Sequence, residues 1–368
     1  EGATLIADRS VEEAVRLLEV LPSDDAAALI DHLPDTLSAE VLDYLQCKDV
    51  GGVQELLEYA EQTAGRIMNP NVFALSEDLT AGEAIAELQK NQEVEMVFYL
   101  YAVDARRHLV GVVSLRRLLL VSPETPLKRI MTTDMLSMGV DADQEEVAQV
   151  VASYNLLAMP VVDEEHKLVG VITVDDVIDV IKDEATEDIY RLAGVAGDEH
   201  VFTPPREALR KRLPWLAINL GTAVLAASVV SLFQDTIKEV VALAVFMPVV
   251  AGMGGNAATQ TLTVTVRGIA LGELTWGNSR KALVKEVLVG LGNGLILGFV
   301  AAGVAWVMEG DPVLGLILGL AMVLNMVVAA TAGTLIPIVL RALKVDPALT
   351  SSVFITTLTD VFGFLVFL

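Results

Sequence analysis

The 368-residue sequence predicts a multidomain protein with an α-helical N-terminal domain, a pair of α/β repeats and an all-α membrane domain of five helices. Apolar runs near the ~20 residues that cross a bilayer as a helix occur only after Trp215. An internal repeat occupies the middle of the chain. Almost all of the net charge of −24 precedes Leu213, because the residues from Leu213 onward contain eight acids and seven bases.

This charge and the scarcity of sulfur and imidazole limit the classes of function. An acidic surface attracts cations and repels nucleic acid, which is not an expected partner. A single cysteine, Cys47, excludes a disulfide framework and a thiolate metal cluster. Four scattered histidines leave carboxylates, carbonyls and water as ligands, which suits Mg²⁺, Ca²⁺ or Mn²⁺. No positioned nucleophile or Gly-Lys-Ser/Thr loop occurs, so the sequence does not indicate an enzyme.

The N-terminal domain, residues 1–65, is predicted to consist of short helices. Leu-Pro followed by Ser or Asp occurs at Leu21 and again at Leu33, and both are typical of a helix start. Stacked helical pairs of this kind serve as scaffolds. Nothing in this segment indicates catalysis.

An internal repeat follows between residues 67 and 190. The segment Leu109–Leu119 reappears 59 positions later as Leu168–Ile178. Each unit predicts an amphipathic helix, an apolar strand, a short acidic turn, a second strand and a closing helix. The repeat resembles a tandem pair of cystathionine-β-synthase (CBS) domains, which we place at residues 66–126 and 127–190.

The resemblance to CBS domains implies an adenosine ligand. In that family, a Ser or Thr followed three residues later by Asp holds the ribose. Thr173 and Asp176 match this pattern in the second repeat, whereas Ser114 is followed by Arg117 in the first. ATP as a modulator is therefore an expectation that rests on Thr173 and Asp176. A purely structural CBS pair is the alternative.

The membrane domain, residues 213–368, contains five apolar runs. They are Leu216–Phe233, Val240–Val266, Val287–Met308, Val313–Leu340 and Ser351–Leu368. Basic residues cluster before the first run, between the second and third, and between the fourth and fifth. The positive-inside rule therefore places the N-terminal half in the cytoplasm and the C-terminus outside. A connecting, plug-like segment, residues 191–212, carries a basic amphipathic stretch into the first run.

The second and fourth apolar runs contain residues that disrupt helices. Pro248 precedes Gly254 and Gly255 in the second run, and the fourth run contains Asn325, Gly333 and Pro337. Non-helical backbone at membrane depth occurs only where protein or a water-filled cavity satisfies it. We therefore expect interrupted helices whose free carbonyls, together with Asn256 and Gln260, offer neutral oxygens to a partly hydrated cation. Close packing through small residues is the alternative.

Asp360 lies about halfway along the last run and is the only carboxylate deep inside any of the five predicted runs. An ionised side chain at this depth is costly unless it faces a partner or a watery path. Asp360 is therefore a candidate site of ion passage, and a neutralised structural aspartate is the alternative.

The order of segments and three groups of motifs resemble the MgtE family of magnesium channels or transporters over essentially the whole chain. The motifs are Pro248 with Gly254-Gly255-Asn256 and Gln260, Glu184-Ala-Thr-Glu-Asp188, and Asp346-Pro-Ala-Leu349 with Thr359-Asp360. The N-terminal helical domain is shorter than the family pattern. The resemblance implies a homodimer in the inner (plasma) membrane with one ion pathway along the dimer axis.

The resemblance also implies two groups of metal ligands. Asp360 matches the family's pore aspartate, which holds hydrated Mg²⁺, and Asp346 matches an acid near the cytoplasmic entrance of the pore. The ligands of sensing Mg²⁺ would be Asp24, Asp143, the carbonyl of Ala152, Asp176, Asp179, Glu184, Glu187 and Asp188. Asn155 stands where an acid is expected.

The resemblance therefore implies a Mg²⁺-selective channel or transporter, and we expect it to close when cytosolic Mg²⁺ binds its acidic domains. Carboxylates that face one another repel when the cation is scarce, and Mg²⁺ bridges them with few protein ligands because it keeps much of its water. An ion-coupled carrier of divalent cations and a membrane-tethered Mg²⁺ or adenylate sensor without transport are the alternatives.

Overall fold

The computed structural model describes residues 5–6, 9–48, 52–91, 98–195, 197, 199, 201–349 and 352–368. The chain divides into two compact units, Glu1–Lys182 and Asp183–Leu368. The first unit contains short helices and two small sheets, and the second contains the long apolar helices. This confirms the predicted fold class.

The first unit begins with a group of short helices. They are α1 (Val11–Leu18), α2 (Ser23–Asp31), α3 (Asp35–Lys48), α4 (Val53–Glu58) and α5 (Ala64–Ile67). Helices α2 and α3 begin directly after Pro22 and Pro34, as the two Leu-Pro motifs predict. Their apolar faces form one core with the second repeat, in which Leu18, Ile30 and Leu56 are fully buried.

The two repeats fold in the same way. The first contains β1 (Ala74–Ser76), α6 (Ala81–Lys90), β2 (Tyr99–Val103), β3 (Leu109–Ser114) and α7 (Leu115–Leu120). After α8 (Leu127–Ile130), the second contains β4 (Met138–Gly139), α9 (Gln144–Tyr154), β5 (Ala158–Val162), β6 (Leu168–Thr173) and α10 (Val174–Leu192). In each sheet the middle strand pairs in parallel with the short first strand and antiparallel with the third.

The predicted acidic turns connect the two long strands of each repeat. Asp104 Oδ1 accepts hydrogen bonds from the backbone N–H groups of Arg106 and His108, at 2.8 and 2.9 Å. Asp163 Oδ1 closes the corresponding turn of the second repeat. The short first strands, β1 and β4, were not predicted. Two or three residues are too few for an alternating pattern to show.

The repeats interlock, because residues before the first strand of each repeat form backbone hydrogen bonds with the third strand of the other repeat. The backbone N–H of Asn69 donates to the carbonyl of Val171 at 2.7 Å, and that of Val112 donates to the carbonyl of Thr132 at 3.0 Å. The two repeats therefore form one body.

The second unit contains the membrane helices. They are α11 (Pro205–Ser231), α13 (Ala242–Ala270), α14 (Ser279–Glu309), α15 (Pro312–Ala342) and the shorter α16 (Ser352–Phe367), with a small helix α12 (Gln234–Glu239) after α11. The first four of these five are long and apolar enough to cross a membrane, with mean hydropathies of 1.4 to 2.5. Helix α16 has 16 residues, about 24 Å at 1.5 Å per residue. Ser351, where the fifth run was predicted to begin, lies outside the described residues.

The expectation of interrupted helices was wrong. Helix α13 continues through Pro248 and the following glycines, and α15 continues through Pro337. The glycines instead allow close approach of neighbouring helices. A Cβ on Gly333 would lie 3.0 Å from the carbonyl oxygen of Ala258, and one on Gly290 would lie 2.8 Å from that of Met326. Packing through small residues, the alternative considered above, accounts for these positions.

Candidate functional site

Asp360 is half-buried on the face of α16 that packs against other helices. Thr356, Asp360 and Gly363 recur at i, i+4 and i+7, a spacing that places them on one face of a helix. A Cβ on Gly255 of α13 would lie 2.6 Å from Cγ2 of Thr356, and a Cβ on Gly363 would lie 2.8 Å from Nδ2 of Asn325 in α15. The carboxylate therefore lies on the α16 face that contacts α13 and α15.

The four polar or glycine positions predicted to line the pathway divide into two pairs. Gly254 and Gly255 are buried, and each is in close contact with a neighbouring helix. Asn256 and Gln260 are exposed and lie one turn apart, so their amides share a face of α13. The glycines shape the packing of α13, whereas the amides face away from the single chain.

A second carboxylate in the membrane unit, Glu286, was missed by the sequence analysis. Helix α14 begins at Ser279 rather than at the predicted Val287, so Glu286 lies inside the helix and is 7% exposed. Its Oε1 accepts a hydrogen bond from Lys285 Nζ at 2.5 Å, and its Oε2 accepts one from Thr261 Oγ1 of α13 at 3.5 Å. Asp360 is therefore not the only carboxylate within the apolar helices.

A signal for Glu286 was present in the sequence. Glu286, Gly290, Gly294 and Gly298 follow one another at intervals of four residues, and all four are buried on one face of α14. Arg280, Lys281 and Lys285 lower the mean hydropathy of this segment, so the predicted apolar run began only at Val287 and left Glu286 outside it. The four-residue spacing of Glu286 and the three glycines indicates the buried face of this helix where mean hydropathy does not.

Asp346 lies before the 3₁₀ turn Pro347–Leu349, and its Oδ1 accepts a hydrogen bond from the backbone N–H of Ala348 at 2.8 Å. Arg191, in the last turn of α10, forms ion pairs with both Asp346 and Glu187. The guanidinium group therefore bridges two half-buried carboxylates, one on α10 and one before α16.

Glu184, Glu187 and Asp188 lie at i, i+3 and i+4 along α10 and share one face, and all three are half-buried. Burial raises the pKa of Asp188, whereas the charges of Arg191 and Arg267 lower it. The three carboxylates form an acidic face near the end of α10.

In the first unit, Asp24 and Asp176 form a second acidic group. Burial, and then the charge of Asp176, raise the pKa of Asp24 to about 6. Asn69 Nδ2 lies 3.4 Å from Asp24 Oδ1. Burial also raises the pKa of Asp176, although Thr173 opposes this by donating its hydroxyl to Asp176 Oδ2 at 2.5 Å. The charged forms of these two carboxylates are disfavoured unless a cation joins them.

The remaining predicted ligands are exposed. Asp143 is exposed and caps α9 by accepting the N–H of Glu145 at 2.8 Å. Ala152 is exposed in the last turn of α9, where carbonyls lack helical donors. Asp179 is exposed and lies 3.7 Å from Lys182. Asn155 ends α9 at φ 51°, a left-handed conformation that asparagine tolerates at a helix end.

Within the described ranges, no three His, Cys, Asp or Glu side chains lie together in a way that could hold a metal ion. Glu184, Glu187 and Asp188 therefore share a helix face without forming such a cluster.

A cavity of about 480 Å³ lies between the two repeats. Its lining includes Tyr99, Tyr101, Asp134 and Tyr154. The hydroxyl of Tyr101 is buried and has no hydrogen-bond partner among the described residues. Burial, and then the charge of Tyr99, raise the pKa of Tyr101, so the hydroxyl keeps its proton at neutral pH.

The ribose-type pair lies elsewhere. Thr173 and Asp176 are not among the residues that line this cavity, and they are hydrogen-bonded to each other. Asp176 lies close enough to Asp24 for the two charges to interact. The structure therefore does not bring the two predicted nucleotide-binding residues to the cavity.

An apolar helix bundle with a carboxylate on a packed helix face, preceded by a CBS-type pair, has the architecture of a membrane transporter for cations. Residues 247–368 match the family model for MgtE divalent cation transporters, residues 64–124 and 127–183 match CBS domains, and residues 1–62 match the MgtE intracellular N domain. The chain belongs to the MgtE family. The members of this family are divalent cation transporters and not enzymes.

Two relatives illustrate the extent of this similarity. The magnesium transporter MgtE of Bacillus subtilis (strain 168) is 35% identical over 96% of this chain and 79% of its own length. That of Thermus thermophilus is 37% identical over 92% of this chain and 78% of its own length.

Two solved structures resemble half of the chain. The soluble part of a magnesium transporter is 36% identical and covers 50% of this chain and 72% of its own, with a TM-score of 0.47. The cytosolic domain of the Mg²⁺ channel MgtE in complex with ATP is 35% identical and covers 48% of this chain and 78% of its own, with a TM-score of 0.37.

The pKa of Asp24 leads to a testable prediction. The folded-state pKa is about 6 against an ordinary 3.8, so folding at neutral pH carries a cost that is absent below pH 3.8 and grows as the pH rises towards 6. Replacing Asp24 by Asn removes this cost, and we expect a gain in the free energy of unfolding at pH 7.5 of at most about 3 kcal/mol.

The measurement is calorimetric unfolding of the detergent-solubilised protein between pH 5 and pH 8, with and without Mg²⁺. We expect Mg²⁺ to stabilise the wild type more than Asp24→Asn, because the cation relieves the same repulsion. Asp43→Asn, which changes an exposed acid on α3, is the control. Equal stabilisation by Mg²⁺ in the wild type and in Asp24→Asn would contradict a role of Asp24 in cation binding.

Proposed function

We propose that this chain is a Mg²⁺-selective channel of the inner (plasma) membrane that closes when cytosolic Mg²⁺ binds its acidic soluble half. The observation that carries the proposal is the position of Asp360, a half-buried carboxylate on the α16 face that contacts α13 and α15. A carboxylate in such a helix marks an ion path by default. The relatives that cover most of this chain are magnesium transporters.

The working unit in this proposal is a homodimer with the pathway on its axis. Asn256 and Gln260 support it, because they expose two neighbouring amides on the apolar helix α13. Polar side chains in membrane helices face the bundle interior or a watery cavity rather than lipid. A second copy placed against this face would enclose the amides and give a hydrated cation neutral oxygens.

The basic residues at the start of α11, at the end of α13 and the start of α14, and at the end of α15 support a cytoplasmic N-terminus and an external C-terminus. In this orientation the acidic N-terminal half samples cytosolic Mg²⁺. The acidic groups can then report the concentration of the ion that the membrane helices release.

Gating in this proposal depends on repulsion between carboxylates. The charge of Asp176 disfavours the charged form of Asp24, so a cation that binds between them stabilises the arrangement in which they are close. Asp176 and Asp179 lie near the start of α10 and Glu187 lies near its end, so one continuous helix carries both acidic groups. Mg²⁺ that binds the compact state more tightly than the open state shifts the population towards closure.

The cavity between the repeats supports a nucleotide modulator, such as ATP, in addition to the cation. Three tyrosines offer aromatic faces on which a base can stack, and the hydroxyl of Tyr101 has no hydrogen-bond partner in the described part of the chain. The ligand in this proposal lies in the cavity rather than beside Thr173 and Asp176, whose side chains are hydrogen-bonded to each other.

An ion-coupled carrier is the second candidate, and Glu286 is the observation that favours it. This carboxylate is buried beside Thr261, and a titratable group within a membrane bundle is typical of proton-coupled transport. A counter-ion gradient that drives uphill Mg²⁺ movement would support the carrier over the channel.

The first test of the proposed function is Mg²⁺ flux in liposomes. We expect Asp360→Ala to reduce flux to the background of empty liposomes, because the carboxylate that attracts the hydrated cation is lost. Asp235→Ala, which removes an exposed acid that pairs with Lys238, is the control and should leave flux unchanged. Wild-type flux in Asp360→Ala would remove this residue from the pathway, and no flux in the wild type would contradict transport.

The gating proposal is tested by changing Glu184, Glu187 and Asp188 together to Ala. We expect this variant to keep conducting at millimolar internal Mg²⁺, with flux roughly 5- to 100-fold above the wild type, the usual range of allosteric coupling. The measurement is flux against internal Mg²⁺ concentration. A variant with Glu12, Glu13 and Glu55 changed to Ala has the same charge change on exposed positions and should retain inhibition. Unchanged inhibition in the first variant would contradict the proposal.

The nucleotide proposal is tested with Tyr101→Phe. Loss of a hydroxyl that has no partner should leave the unfolding temperature without ligand unchanged or higher, whereas ATP affinity should fall roughly tenfold because a hydrogen bond to the ligand is lost. Isothermal titration calorimetry measures the affinity. Equal ATP affinity in the two proteins would show that the hydroxyl does not contact the nucleotide.

A further inference from the structure

Asn325 is an amide near the centre of α15, the most apolar of the four long membrane helices. Helix α15 has a mean hydropathy of 2.5, and Asn325 is 0% exposed within it. Its Nδ2 donates a hydrogen bond to the backbone carbonyl of Val250 on α13 at 3.1 Å. This bond fixes the orientation of the amide, because only the nitrogen end can donate.

Two glycines on different helices make room for this amide. A Cβ on Gly254 of α13 would overlap Nδ2 of Asn325 and lie 2.9 Å from its Cγ. A Cβ on Gly363 of α16 would lie 2.8 Å from Nδ2 and 3.2 Å from Cγ. These separations from Nδ2 are too short for real atoms, so the amide occupies a notch that exists only because these two positions lack side chains.

The acceptor end of the amide is unused. Oδ1 of Asn325 is buried without a hydrogen-bond partner among the described residues. A leucine has the same branching and would leave no polar atom unpaired, so an asparagine here costs stability. A buried asparagine between packed helices fixes their register and relative rotation at such a cost.

Asn325 contacts α16 within one helical turn of Asp360, the predicted ion site. Gly363 lies three residues after Asp360, and this spacing places the two on the same face of α16. Val250 lies two residues after Pro248, whose ring nitrogen cannot donate the helical hydrogen bond to Ala244. The amide therefore joins α13, near its weakened turn, to the face of α16 that carries Asp360.

We propose that Asn325 is a positioning residue for ion permeation, whose amide locks α13 and α16 together in the Gly254–Gly363 notch and thereby orients Asp360 towards the pathway. This rests on the proposed function, in which Asp360 holds the hydrated cation. The amide does not contact the ion. It sets the rotation of the helix that presents the carboxylate, and so determines how well the site discriminates Mg²⁺, which keeps its waters, from Ca²⁺, which exchanges them for protein oxygens more readily.

The test compares Mg²⁺ and Ca²⁺ flux through the full chain in liposomes for the wild type, Asn325→Leu and Gly363→Ala. The first variant removes the amide and keeps its branching, and the second keeps the amide but fills the notch. We expect both to lower the ratio of Mg²⁺ to Ca²⁺ flux by roughly tenfold, because one directional bond or its geometry is lost. A ratio is measured because a smaller folded fraction reduces both fluxes equally.

Thr334→Val is the matched control on the same helix. Thr334 is also 0% exposed, and its hydroxyl donates to the carbonyl of Ala330 within α15 at 2.8 Å. This variant loses a buried polar group without changing the notch, so the ratio should match the wild type. If Asn325→Leu does not fold, Gly363→Ala decides the question.

A wild-type flux ratio in Asn325→Leu or, where that variant does not fold, in Gly363→Ala would overturn the proposal. Equal reductions of both fluxes would also overturn it, because they show a role in stability only. The proposed function fails separately. If the wild-type protein carries no Mg²⁺, or if Asp360→Ala conducts normally, the proposal of transport through Asp360 is wrong. If the wild type conducts, Asp360→Ala does not, and Asn325→Leu keeps the wild-type flux ratio, only the role of the amide is contradicted.

Discussion

The organisation of the membrane unit depends on one constraint: a polar group inside an apolar helix bundle must find a partner within the protein. Asn325 meets it with Nδ2, which donates to the carbonyl of Val250, whereas its Oδ1 has no partner among the described residues. Glu286 meets it through Thr261 and Lys285. Each of these side chains joins its own helix to a neighbour. Asp360 is half-buried on the face of α16 that packs against α13 and α15.

Close helix packing follows from the same constraint. Short side-chain hydrogen bonds between helices require the backbones to approach, and the glycines of α13, α14, α15 and α16 permit this. Proline is tolerated in a membrane helix where neighbouring helices and local adjustments satisfy the freed backbone group, and α13 continues through Pro248. The sequence shows the glycines but not the neighbours that they face, so interrupted helices were expected where continuous ones occur.

The repeats were predictable because their information is local and occurs twice. The segments Leu109–Leu119 and Leu168–Ile178 match in register, and both fold as a strand followed by a helix. The exchange between the repeats, in which Asn69 binds Val171, joins residues 102 positions apart. No periodicity in the sequence carries that contact. The short strands β1 and β4 were missed for the same reason, since their partners and not their composition define them. The candidate site shows a similar division: Asp360 was identifiable because a carboxylate in an apolar run is rare, whereas Glu286 was hidden by the basic residues before it.

The structure contains two pairs of carboxylates whose negative charge is balanced differently: Glu187 with Asp346, and Asp24 with Asp176. Glu187 and Asp346 share the guanidinium of Arg191, a cation that is part of the chain and always charged. For Asp24 and Asp176, the ion pairs of the described residues include no such cation, and burial together with their mutual repulsion raises the pKa of Asp24 to about 6. A contact that depends on an exchangeable cation varies with the concentration of that cation. In the proposed gating, Mg²⁺ would supply at the Asp24 and Asp176 pair the positive charge that Arg191 supplies to Glu187 and Asp346.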